Sequence, residues 1–427
     1  MSAPTTAPAR ASGVPASPGE LALAARAGMA HSGPQRPRTL ALLRWLQVVC
    51  LVAALAMAGI GAVVCWNARQ DAIAAAGHAT QYQRLTQIRA HLLTADAISG
   101  QIFVLPTDDA AQYPVYLSEL AGASKLIVEA GGAQAGDRDQ LAAINTAVSR
   151  FAAAMSAARA ANTPLGKESA AADLVKASAA LRTDAIAPLD QLVQANQAGI
   201  TGGSLDAGRW IFAALGIGTL ALVLVSAYLV AVRFRRVVNL GLALALVLLG
   251  AAWAIGATTL GGVATQTDVT AEQHVASAAA DARQAVLNAR TQESLGLLDS
   301  GSAASYEKQW ASSVATASAA IQSLAKSNPA LTGQLNAYIA AHKSLRALAD
   351  AGKPQQAASA TQATRSAAST LDTALAKLTT TSAGKVATAL TSASLPLELG
   401  ALGVGVCAAL AGAAATVGID QRLREYR

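Results

Sequence analysis

The sequence predicts an all-α membrane protein with four transmembrane helices and two extracytoplasmic four-helix-bundle domains in tandem repeat. Three observations lead there. Of 427 residues, 53% are hydrophobic and only 13% charged, against roughly one-quarter charged in a soluble domain. Four stretches, Trp45 to Trp66, Trp210 to Val232, Val237 to Leu260 and Leu397 to Ile419, run more than 20 residues with no formal charge except Glu398 at the edge of the last. That is the length a bilayer core demands of a helix. Between them, apolar residues recur three and four apart, and almost nowhere with the alternation of a strand.

In chain order, residues 1–40 hold six of the 13 prolines amid Ala, Ser and Thr, a composition that stays disordered. The first span, 41–66, is too long for a signal h-region, has no small-x-small exit before Trp66, and is expected to remain as an anchor. Residues 67–208 form the first bundle, broken at Gly100 to Pro106, Gly131-Gly132 and Pro164. Its stripe of Leu85, Ile88, Leu92, Ala95, Ile98 and Ile102 marks a helix with one apolar face. The second span, 209–232, a basic hairpin, 233–236, and the third span, 237–260, follow. The second bundle, 261–394, breaks at Gly301, Asn328-Pro329 and Gly352 to Pro354, with a stripe of Leu331, Leu335, Tyr338, Leu345 and Leu348. The fourth span, 395–419, and an eight-residue tail, 420–427, complete the chain. The layout repeats at about 193 residues. Ala110-Ala111-Gln112-Tyr113 aligns with Ala303-Ala304-Ser305-Tyr306, and Leu117 with Trp310.

Charge sets the expected orientation. The segments 1–44, 233–236 and 420–427 carry 11 basic residues and three acidic ones, and the long segments carry the remaining 21 and 22. The positive balance therefore belongs to the short segments, which places both termini and the hairpin in the cytoplasm of a multi-pass plasma-membrane protein. The net charge of +7 then reports topology; nucleic acid is not an expected partner, since no basic face with interleaved aromatics occurs. Cys50, Cys65 and Cys407 all lie in spans, so no disulfide or thiolate metal site is expected outside them.

No phosphate-cradling glycine loop, nucleophile with a base, or His-Glu zinc helix is found. The expectation is a protein that is not an enzyme and takes no cofactor. Tyr113, Tyr116, Phe151, Tyr306, Trp310 and Tyr338 read as bundle core. His78, His91, His274 and His342 never fall at metal-ligand spacing and read as solvated or capping residues. Asp96 and Glu293, on apolar-rich helix stretches, are candidates for buried acids that answer to a ligand or a proton; a helix face turned to water is the blander account. On the cytoplasmic side, Arg233, Arg235, Arg236, Arg422, Arg424 and Arg427 are candidate contacts for a partner or for lipid headgroups.

The tandem layout, Thr94-Ala95-Asp96-Ala97 leading to Phe103, and Asn288-Ala289-Arg290 through Glu293, Leu297, Leu298, Gly301, Tyr306 and Trp310 resemble the actinobacterial GlnX-type four-span membrane proteins. The resemblance covers residues 40–427 and carries over no functional residues. It implies an outer partner, a glutamate- and aspartate-binding lipoprotein, and a cytoplasmic one, a soluble Ser/Thr kinase of the protein kinase G type. The expected function is a transmembrane signalling adaptor. The alternatives are a bundle that binds a small molecule directly, as chemoreceptors do, and a cell-envelope scaffold.

Overall fold

The computed structural model describes residues 36–104, 109–163, 166–201, 205–234, 239–264 and 267–424. Residues 1–35, Arg235, Arg236 and Arg427 lie outside them, as do the side chains of Arg233 and Arg422. All regular structure among the described residues is helical, without a strand. The helices are α1 (Arg36–Val104), α2 (Asp109–Ala133), α3 (Arg138–Ala161), α4 (Lys167–Leu181), α5 (Ala187–Thr201), α6 (Leu205–Phe234), α7 (Leu240–Ala264), α8 (Thr267–Leu298), α9 (Ala303–Leu324), α10 (Ala330–Asp350) and α11 (Pro354–Arg424). Four contain a stretch long and apolar enough to cross a membrane, lying within Ala41–Val104, Gly208–Val232, Leu240–Gly262 and Gln355–Gln421. This suits a multi-pass membrane protein.

The ends of these helices follow from local chemistry. Asn239 accepts hydrogen bonds from the amides of Gly241 (3.1 Å) and Leu242 (3.5 Å), capping α7. Gly352, at φ 67, turns the chain out of α10 in the left-handed region, and Lys353 N–H closes back on Leu348 O at 3.0 Å. Pro354 then opens α11, where its missing N–H is harmless. Between α4 and α5 the helix widens into a π turn, Arg182–Ile186. Pro188, two residues on, has no N–H for the carbonyl four residues back and crowds it, so the wider turn relieves the clash.

The chain divides into two compact bodies. One comprises Met1–Gly59, Gly216–Ala252 and Val406–Arg427. Within it the backbones at Gly241 and Gly418 meet directly, Asn239 Nδ2 donates to Gly418 O at 3.0 Å, and a Cβ on Gly412 would stand 3.2 Å from that of Ala54. Small residues permit such close approach of apolar helices. Val48, Val52, Leu224, Val225, Val247, Leu410 and Val417 are exposed, the outward face that hydrocarbon rather than water would cover.

The other body comprises Ile60–Leu215 and Trp253–Gly405. Phe212 is buried against Gly61, Gly256 and Val404, and its ring occupies the place a side chain on Gly256 would need. Arg69, over the Trp66 ring at 5.1 Å, pairs with Glu398 at 3.1 Å. Beyond this, one apolar core draws on α1, α2, α3, α4 and α5, and a second on α8, α9, α10 and α11. The whole Leu85 to Ile102 stripe is inside the first. Tyr116, Phe151, Trp310 and Tyr338 are buried, while Tyr113 and Tyr306 are partly so. Leu117, set against Trp310 in sequence, is 46% exposed where Trp310 is 6%, and its neighbour Tyr116 is 1% exposed.

Helices α1 and α8 of the two cores lie against each other. Ser294 Oγ is 3.4 Å from Ala97 O, Arg89 Nη2 donates to Ala280 O at 3.5 Å, and Leu287 joins the first core. A Cβ on Gly100 would meet the Ser294 side chain at 2.8 Å, so glycine there allows the close approach. Asp190 accepts from Arg89 at 2.9 Å and from Gln284 at 3.2 Å across the same seam, and Arg365 Nε donates to Gln101 at 3.1 Å.

Candidate functional site

Asp96 sits near the C-terminal end of α1, on its buried face, 1% exposed. Its Oδ2 accepts from Arg182 Nη2 at 3.2 Å, so the residue that opens the π turn is the one that neutralises the buried acid. Around this pair, Asp96 Oδ1, Tyr116 OH, Ser178 Oγ and Arg182 Nε are buried without a hydrogen-bond partner among the described residues. Ser178 and Arg182 stand one turn apart, on the stretch where the helix widens. Burial pushes the Tyr116 hydroxyl up, and nearby Tyr113 and Asp96 push it further. Tyr116 packs against Phe151 at 6.1 Å and Tyr113 at 5.9 Å, and the Arg159 guanidinium lies 4.1 Å over Tyr113. The result is a polar knot in an apolar core, with one side-chain acceptor and at least three donors unused.

Glu293 sits on α8 with only 4% of its side chain exposed. Its Oε2 is 2.7 Å from His342 Nδ1 on α10, and its Oε1 accepts from Thr364 Oγ1 on α11 at 2.6 Å. The other nitrogen of His342, Nε2, is 3.1 Å from Glu307 on α9. Trp310 stacks on the imidazole, centroids 3.6 Å apart and planes 11° apart, and donates from Nε1 to Tyr338 OH at 3.1 Å. Arg346 closes the outer side, 3.6 Å from Glu307 and 2.6 Å from Asp350. Arg290, one turn before Glu293, is fully enclosed; burial draws its basicity down, and Tyr338, Asp372 and Glu293 partly restore it.

His342 therefore corrects the expectation of solvated histidines: it is 1% exposed and held between two carboxylates. His91 pairs with Glu119 at 2.6 Å, and His78 with Asn196 at 3.0 Å, whereas His274 is exposed. The structure places Asp96 and Glu293 both in the interior, but in separate cores and with different partners. His342, Glu307, Thr364 and Arg182 were not expected as site residues from sequence. A signal for the first existed, because Leu331, Leu335, Tyr338, His342 and Leu345 continue one stripe at steps of three and four. No group of three His, Cys, Asp or Glu side chains arranged to hold a metal occurs among the described residues. Of the arginines proposed for the cytoplasmic side, Arg424 is described: its side chain is 79% exposed and bonds Asp420 at 3.1 Å.

An open groove of about 610 Å³ is lined by Phe103, Val104, Leu297, Leu298, Glu168 and Arg346, among others. Arg346 thus borders both this groove and Glu307.

Neither a curated protein nor a solved structure matches the chain. Residues 72–203, which contain Asp96, Tyr116, Ser178 and Arg182, match the family described as an actinobacterial sensor domain. That similarity gives this part of the chain a sensor-type character, and with it a role in sensing or signalling.

Proposed function

We propose that the chain is a non-enzymatic transmembrane signalling adaptor. In this reading the segments between the first and second and between the third and fourth spans face outward, and both termini and the hairpin face the cytosol. The outer segments meet an amino-acid-binding lipoprotein, and its ligand state is passed to a cytoplasmic partner, a Ser/Thr kinase. The observation that carries the reading is the position of the sensor-domain match: residues 72–203 begin on the same unbroken helix as the uncharged run Trp45 to Trp66 and end before the second candidate span, Gly208–Val232. A displacement of α1 within the sensor segment thus has a direct covalent route to the membrane. The charge bias of the short segments supports the orientation.

Copurification tests it. The full chain in detergent should retain a solute-binding lipoprotein with an affinity that changes when glutamate or aspartate is added. Retention that ignores the amino acid would reduce the chain to a scaffold.

The groove beside Arg346 favours a second reading, a sensor that binds a small molecule itself, since its volume falls within the range of small-ligand sites. Binding of the amino acid by the isolated chain, measured calorimetrically, separates the two.

A further inference from the structure

The hydrogen bonds around His342 can be counted. Three contacts face carboxylate oxygens: His342 Nδ1 with Glu293 at 2.7 Å, His342 Nε2 with Glu307 at 3.1 Å, and Thr364 Oγ1 with Glu293 at 2.6 Å. Each needs a hydrogen between its heavy atoms. A neutral imidazole supplies one and the threonine hydroxyl another. With both glutamates ionised, one imidazole nitrogen would turn its lone pair on a carboxylate oxygen at hydrogen-bonding distance. Thr364 Oγ1 is also 3.0 Å from Thr361 O, a second claim on its single hydrogen. The geometry is therefore one proton short.

We propose that Glu293, His342 and Glu307 form a binding site for one proton, centred on the buried imidazole, and that this proton holds the second core together. Its uptake joins four helices at one point, since Glu293 belongs to α8, Glu307 to α9, His342 to α10 and Thr364 to α11. Trp310 seals one face of the imidazole, and a ring stacked on indole gains from carrying positive charge. Other charges face the site from three of the four helices. From α8 comes Arg290, which favours ionised Glu293 and opposes a cation at His342. From α10 comes Arg346, already shared between Glu307 and Asp350, and from α11 comes Arg365, close enough to act on Arg290. Arg346 is directed to Glu307 and Asp350, and Arg365 Nε to Gln101. The site is independent of which partner the chain serves, because it is built wholly from its own residues.

By linkage, a folded state that binds one more proton than the unfolded chain loses stability as the pH rises. For the purified full chain in detergent, the thermal midpoint should fall between about pH 5 and about pH 8, the interval in which imidazoles exchange their proton. Glu307→Gln puts an amide N–H where the proton is needed, and Glu307 is 41% exposed, so the replacement disturbs little packing. That variant should lose the part of the slope due to one proton and match or exceed the wild type near the upper limit. His342→Asn should lose the same slope. His91→Asn, which removes the other His-Glu pair, should leave the difference between wild type and Glu307→Gln intact. An unchanged slope in Glu307→Gln and His342→Asn overturns the proposal. Should neither fold, nitrogen NMR of labelled histidine in the wild type decides: two N–H groups on His342 near the lower limit support the site, and one bare nitrogen there sinks it.

Discussion

At the scale of single residues, the two cores carry buried polar groups that an alanine-rich helical protein could do without. Trp310 serves three purposes at once: it fills the second core, covers His342, and fixes Tyr338 through its indole N–H. Trp310→Ala should therefore cost about 3 to 5 kcal/mol, the range for removing a large buried aromatic. Melting of the full chain checks this, and a change within about 0.5 kcal/mol would mean the side chain is not packed as described. Asp96 behaves differently, because Arg182 is 27% exposed and can turn to water when its partner is lost. Asp96→Asn keeps the shape and removes the charge, so the expected loss is roughly 1 to 3 kcal/mol, that of an unmade bond to a charged group. Asp96→Leu should cost more, since Tyr116 OH, Ser178 Oγ and Arg182 would then face a side chain with no polar atom at all. Denaturant unfolding of the three proteins orders them.

Among elements, the helices were the most legible part. A period of three and four residues over α1 and α10 reports which face is buried, and glycine and proline report where the chain must turn; both are local signals. What sequence did not reveal depends on contacts between distant segments. His342 on an apolar stripe looks like an interruption until Glu293 and Glu307, 49 and 35 positions away, are brought to it. The same holds for the π turn, which proline predicts only as a disturbance. Close backbone approach is equally invisible, since Gly100 reads as the start of a helix break and Gly256 resembles every other glycine of the spans, whereas both lie inside helices. Both should be intolerant. Gly256→Leu would drive a side chain into the Phe212 ring, lowering the melting point of the detergent-solubilised protein, and Phe212→Ala in the same chain should recover part of the loss. Additive losses in the double variant would show that the two do not share the space.

For the whole molecule, the decisive property is which segments face which side of the membrane, and charge makes a strong statement about it. Helix geometry does not fix orientation, since a span of the same length and hydropathy serves either way. Lys and Arg do, because cytoplasmic flanks retain them. The three short segments hold 11 basic and three acidic residues, whereas the long ones are almost balanced. Single cysteines at Ser12, Ala135, Phe234, Ser366 and Arg427 test this with an impermeant thiol reagent on intact cells. The native thiols give little background, because Cys50 and Cys65 are buried and Cys407 lies within a candidate span. Ala135 precedes α3 and Ser366 lies on α11 ahead of the apolar run Leu397 to Ile419, so both belong to the segments expected outside. Labelling should occur there alone, and the other three positions should react only after lysis. Reaction at Phe234 in unbroken cells would invert the topology. It would put the sensor segment in the cytosol, beyond the reach of any lipoprotein, and the adaptor reading would fall with it.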